Sequence, residues 1–149
     1  MDGPSRCGMG DRRPGPRRVI GADTSVLVRY LVGTPAAQSR RAGRLIDGAE
    51  HIGVSVLALA ECAHVLRTQY GVARRDVVDS LIALVQRENV RVTDARTDIL
   101  VAMLVRVRAM SGRPIPDALI VGAALAADAV PLATFDTEQR RYGIVVREP

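Results

Sequence analysis

The fold is decided by the stretch Val19-Ile20-Gly21-Ala22-Asp23-Thr24-Ser25-Val26-Leu27-Val28-Arg29-Tyr30-Leu31-Val32-Gly33. Its first four residues are a short apolar run, the pattern of a strand buried on both faces. Asp23 stops that run. Thr24 or Ser25 can then cap a helix that continues to Val32 and closes at Gly33. The same alternation recurs downstream. Residues 36–47 carry Ala37, Arg41, Arg44 and Leu45 at helical spacing, and Ile52-Gly53-Val54 reads as a second strand. Ser55 is placed to cap a helix from Val56 to about Gln69, and Asp76 to cap another over 77–88. Val90-Arg91-Val92 reads as a strand, residues 95–110 as a helix stopped by Gly112 and Pro114, and Pro116-Asp117 as the start of a helix through Ala127. Strands are expected again at 131–135 and 144–146. Strands alternating with helices predict an α/β three-layer sandwich whose central sheet is mainly parallel and covered on both faces.

At 149 residues the chain fits one domain, over 19–149. The basic residues are all Arg, 21 of them, against 16 acids, a net charge of +5. The excess is uneven. Residues 1–18 hold five Arg against two Asp among four Gly and three Pro, and are expected to be a disordered basic extension. The domain itself is nearly balanced. The absence of lysine excludes a P-loop, which needs Lys on the phosphates, and a Schiff-base enzyme, which needs an amine. It also excludes a phospho-receiver domain, which depends on a lysine beside its acidic pocket. Cys7 and Cys62 cannot build a disulfide framework and lack metal-site spacing, which suits a reducing cytoplasm. The longest runs without charge are ten residues, too short to span a bilayer. Asp23 and Arg29 break the only stretch that could serve as a signal sequence.

Four carboxylates stand out. Asp23 and Asp136 each end an apolar strand, the edge at which open α/β sheets bind ligands. Asp117 opens a helix after a Pro-x-Pro turn. Glu61 lies in the apolar run Leu57-Ala58-Leu59-Ala60-Glu61-Cys62-Ala63, where a buried acid needs a partner. Taken singly, the three Asp are equally placed to cap helices. Together they would converge if the sheet is parallel, and their mutual repulsion would call for a cation. Oxygen donors without His or Cys select a hard ion such as Mg²⁺ or Mn²⁺.

These residues resemble the PIN domain, in its VapC-type toxin branch, over residues 19–149. Val19 to Leu31 is similar to the opening strand and helix of that family. Gly53-Val-Ser-Val-Leu-Ala-Leu-Ala-Glu61 resembles its second motif, Pro116-Asp117-Ala-Leu-Ile-Val its third, and Ala133-Thr-Phe-Asp136 its fourth. The resemblance implies a Mg²⁺- or Mn²⁺-dependent endoribonuclease with Asp23, Glu61, Asp117 and Asp136 as catalytic and metal-binding acids. Asp23 and Asp117 would be the main ligands. Hydrolysis in the family leaves a 5′-phosphate and a 3′-hydroxyl. The resemblance also implies a homodimer and a cognate antitoxin whose tail packs along the groove. Many relatives carry an acidic pair where Gly33-Thr34-Pro35 stands, and Asp where Glu138 stands.

Thr24 and Thr134 flank the acids and can hydrogen-bond to carboxylate or phosphate. Arg29, Arg113, Arg140 and Arg141 lie close in sequence to the motifs and are the candidates for RNA phosphate contacts. Only four aromatics exist, Tyr30, Tyr70, Phe135 and Tyr142, so recognition should rest on shape, loops and phosphates rather than on stacking platforms. Glu61 and His64 have the spacing of a di-iron carboxylate helix, but such a site needs two pairs. A dehalogenase-type phosphatase needs a second Asp two positions after Asp23, where Ser25 stands. Two other functions share the fold: a PIN nuclease that processes RNA without being a toxin, and an idle module that binds RNA or a partner.

Overall fold

The computed structural model describes residues 18–149. Except for Arg18, the basic extension, with Cys7, lies outside the described residues. The chain runs β1 (Val19–Gly21), α1 (Thr24–Val32), α2 (Ala36–Ile46), β2 (His51–Val54), α3 (Val56–Thr68), α4 (Arg74–Val85), β3 (Val90–Val92), α5 (Thr97–Ala109), α6 (Ile115–Ala126), β4 (Leu132–Ala133) and β5 (Val146–Arg147). A single 3-10 helix, Thr137–Tyr142, lies between β4 and β5. Among the described residues no helix is long and apolar enough to cross a membrane.

The first three strands form one parallel sheet in the order β1-β2-β3, with Ile20 opposite Ile52 and Ile52 opposite Val90. Parallel neighbours need crossovers, and α1–α2 and α3–α4 supply them. The central strand is the most enclosed: Ile52, Gly53 and Val54 are all buried. Helices pack on one another in a chain of contacts from α2 through α1, α3 and α4 to α5, and α6 joins α3 to α5. Leu27, Leu59, Leu81, Leu100 and Leu119 are fully buried between these layers. Close packing of α5 on α6 depends on Gly122, where an added Cβ would stand 2.6 Å from Leu100 Cδ2. The α/β sandwich read from the sequence is the architecture found.

Several local expectations are corrected. Asp23, not Thr24 or Ser25, is the cap of α1: its side chain accepts the Val26 N–H. The fourth helix begins at Arg74 rather than 77, with Ala73 at the cap position, and Asp76 sits in its first turn. An acid there still complements the helix dipole, so the residue type was informative but its position was not. The strand expected over 131–135 is reduced to Leu132–Ala133. It pairs in parallel with Val146–Arg147, as a separate two-stranded ladder. Pro131 has no N–H to add to that ladder, and Thr134 Oγ1 turns to accept from the Asp136 N–H, which ends it. The last strand is shifted from 144–146 because Ile144 is used in the core.

Ser55 caps α3 as expected, accepting from the Ala58 N–H at 3.1 Å. The neighbouring Val56 N–H is taken by Asp94 Oδ1 at 2.9 Å. Ser55→Ala should therefore cost about 1 kcal/mol, the usual worth of such a cap, read as a lower midpoint in urea unfolding.

Candidate active site

Asp23 follows the C-terminal end of β1 and caps α1. Its Oδ1 accepts from the Ser25 hydroxyl at 2.7 Å and from the Val26 N–H at 3.1 Å. These donors, the Ser25 hydroxyl foremost, hold the carboxyl below the ordinary aspartate value, so Asp23 is an oriented anion at neutral pH. The next residue reaches across to α3: Thr24 Oγ1 donates to Glu61 Oε2 at 2.7 Å. The same strand-end turn thus fixes one acid and positions another. Glu61 is exposed, contrary to the expectation from its apolar run. The helix buries Leu59, Cys62, Ala63 and Leu66 and turns Glu61 outward. Asp23, Thr24 and Glu61 together line two adjoining cavities of about 370 and 380 Å³.

The other two acids form a second pair around a cation of the chain itself. Arg113 lies in the loop between α5 and α6, and Asp117 one helical turn further on, inside α6. Arg113 Nη2 donates to Asp117 Oδ2 at 2.9 Å and to Asp136 Oδ2 at 2.7 Å. The remaining oxygen of Asp136, Oδ1, caps the 3-10 helix by accepting from the Glu138 N–H at 3.0 Å. The guanidinium holds Asp136 below its ordinary range. Arg113 itself is nearly enclosed, its side chain only 15% exposed. Arg74 Nε supports the segment by donating to the Arg113 carbonyl at 2.8 Å.

The four acids therefore stand as two pairs, Asp23 with Glu61 and Asp117 with Asp136. Among the described residues no three His, Cys, Asp or Glu side chains are grouped closely enough to hold a metal ion. The donor chemistry would suit a hard cation. Oxygen is the only donor element at these positions, Asp23 is kept ionised, and two hydroxyls flank the acids. At Asp117 and Asp136 the positive charge that paired carboxylates require is supplied by Arg113.

The remaining candidates are divided in the same way. Thr24 is on Glu61, and Thr134 accepts from the Asp136 backbone rather than binding its carboxylate. Arg29 lines the cavity with Asp23 and Glu61, and two of its three nitrogens are engaged: Nε on Gln38 at 2.7 Å, and Nη1 on the Thr34 carbonyl at 3.2 Å and the Tyr70 hydroxyl at 2.6 Å. It fastens α1 to the flanking segments. Arg140 donates to the Thr137 carbonyl, and Arg141 pairs at 3.4 Å with Glu138; both are exposed. Neither lines the two cavities at Asp23. A cavity of about 590 Å³ lies between α1 and α2 and is lined by Ser25, Val26, Arg29, Gln38, Arg41, Ala42 and Leu45. Cys62 is buried in α3, which pushes its thiol up to about 12 and leaves it inert as a nucleophile.

Sequence reasoning missed Ser25 and Arg74 as supports of the acids, and it could not foresee that Phe135, beside Asp136, would be 82% exposed. Ser25 had a signal, an Asp-Thr-Ser turn in which the third residue can bond back to the first. Arg74 had none, since its partners lie 33 and 39 residues away. A family model described as PIN domain matches residues 21–145. No curated protein matches the chain.

Proposed function

The chain belongs to the PIN domain family, and we propose that within it this protein is a metal-dependent endoribonuclease acting as the toxin of a toxin–antitoxin pair. PIN domains are in general nucleases that act on RNA and typically use divalent metal ions. The observation that carries the reading is the Asp23–Thr24–Glu61 arrangement at the end of a parallel strand. It offers an ionised, oriented carboxylate beside a second acid on an open cavity.

In this reading Asp23 and Asp117 would hold Mg²⁺ or Mn²⁺, and Glu61 and Asp136 would complete the set once the two pairs are drawn together around the ion. The bound ion would orient the scissile phosphate, generate hydroxide from water near neutral pH and offset charge on phosphorus. The chain's own residues supply the rest. Ser25 and the Val26 N–H keep Asp23 deprotonated and fixed in direction. Thr24 fixes Glu61 through its hydroxyl. Arg113 keeps Asp117 and Asp136 close together without mutual repulsion, and its release from them would free both carboxylates. Arg29, Arg140, Arg141 and Thr134 are the further proposed contacts to RNA.

The groove between α1 and α2, with Arg29 and Arg41 on its wall, suits the tail of an antitoxin, and the toxin would work as a homodimer in the cytoplasm. Incubating the purified chain with structured and single-stranded RNA and Mg²⁺ tests the reaction. Internal cuts that leave a 5′-phosphate and a 3′-hydroxyl are expected. Cuts that leave a 2′,3′-cyclic phosphate would remove the metal-activated-water mechanism. The toxin role predicts growth arrest on induction, relieved by co-expression of a small protein encoded next to it. Cleavage without arrest would favour the RNA-processing alternative.

A further inference from the structure

Outside the carboxylate site, one cavity of about 270 Å³ is lined by His64 and Arg67 of α3, Arg74 of α4 and Arg113 of the α5–α6 loop. Its other lining residues are small or apolar, and no acidic side chain is among them. The cavity reaches the start of α6, where Pro114, Ile115 and Pro116 line it. Elsewhere Arg87, Arg96, Arg108 and Arg141 each face an acid. Here three Arg and His64 line one cavity, and among the described residues only Arg113 of the three Arg is paired with acids, Asp117 and Asp136.

We propose that this cavity is a subsite for a phosphodiester of the RNA strand, one step along the backbone from the bond that is cut. The proposal rests on the ribonuclease reading and adds the path of the substrate. Arg113 belongs to both places: it lines the cavity and bonds Asp117 and Asp136. A strand whose phosphate enters here therefore passes directly beside the acids. Arg74 is a positioning residue, since Nε and Nη2 are spent on the carbonyls of Arg113 and Val107. Arg67 and His64 are the contacting residues. Both are exposed, and Arg67 uses only Nη1 internally, on the Val72 carbonyl at 3.0 Å. Arginine's planar fork can serve that carbonyl and a phosphate oxygen together.

The test is binding of a single-stranded RNA to the full chain carrying Asp23→Asn, as a function of salt. Cleavage of the same RNA by the chain without that change is measured alongside. Adding Arg67→Gln should lower the slope of log Kd against log salt by about 0.7, one phosphate contact on a single strand. His64→Gln should weaken binding about two- to five-fold at low salt, the loss of one neutral hydrogen bond. Arg91→Gln, on the exposed middle of β3 and outside the cavity, should leave the slope unchanged. In the cleavage assay Arg67→Gln should raise KM and leave kcat in place. Because Arg67 also holds a turn, Arg67→Lys serves as the second variant and should keep the slope while losing part of the affinity.

An unchanged slope in Arg67→Gln, or a fall equal to that of Arg91→Gln, would overturn the subsite while leaving the nuclease reading intact. Binding of inorganic phosphate that Arg67→Gln abolishes, with the RNA slope unaltered, would assign the cavity to the free ion and overturn the RNA path. Absence of cleavage by the parent chain would count against the nuclease reading instead.

Discussion

Asp23→Asn should lower RNA cleavage by at least about 100-fold while leaving the fold in place. A metal-held phosphate and activated water are worth several kcal/mol in the transition state, and each 1.36 kcal/mol is a factor of ten. Asparagine keeps the shape of the side chain and can still accept from the Ser25 hydroxyl and the Val26 N–H through its amide oxygen. As a helix cap it is equal to aspartate, so the stability change should stay within about 0.5 kcal/mol. What it removes is the negative charge. The two roles of this residue can therefore be pulled apart, because Asp23→Ala should lose both the cleavage and about 1 kcal/mol of cap. Measured rates and urea midpoints for the two variants check the division. Equal losses of stability in both would mean that the carboxylate charge matters to the fold rather than to the reaction.

Arg113→Gln should show the opposite balance, with a large effect on stability and its pH dependence. In the parent chain one guanidinium neutralises Asp117 and Asp136 in a site where two of the three side chains are four-fifths or more enclosed. Removing the charge leaves two carboxylates facing each other. The expected result at pH 7 is a lower urea midpoint, moderated because Asp136 is 43% exposed and partly screened. The sign of the pH effect follows from Asp136, whose folded-state carboxyl is held below its ordinary value of 3.8 chiefly by Arg113. Such a group stabilises the fold above that value, and the contribution is lost as pH falls through the folded-state titration. The gap between parent and Arg113→Gln should thus be full at pH 7 and close progressively below about pH 4. Paired urea titrations at pH 7, 5 and 3.5 measure it. A gap that stays constant through this range would show that Arg113 acts by packing alone.

The parallel order of the first three strands was legible because buried strands and their connecting helices have different periods, and Val19 to Gly33 displays both in succession. Caps were legible as residue types and less so as positions. Asp76 stands two residues inside the helix it was expected to start, since an acid is favourable anywhere in a first turn. The β4–β5 ladder was not legible, because two-residue strands have no period to read and their partners are set by the long-range return of the chain. At the site, Asp136 lies past the shortened β4 and caps the 3-10 helix instead, whereas the strand-end position of Asp23 followed from local pattern. The exposure of Glu61 did not: in an apolar run, only the packing of α3 on its neighbours decides which side faces solvent. Arg113 was visible as a basic residue near the third motif, but nothing local indicated that it would sit between Asp117 and Asp136. Its partner Asp136 is 23 residues away, and the contact depends on how the 3-10 helix docks.

Titration calorimetry of the full chain with Mn²⁺ tests most directly whether these carboxylates form a metal site. Binding at millimolar ion or below, lost in Asp23→Asn and strengthened in Arg113→Gln, is the result expected of oxygen donors for which a guanidinium and a metal ion compete. Heats that show no saturable binding at millimolar Mn²⁺, with the chain folded, would mean that these carboxylates hold no metal ion.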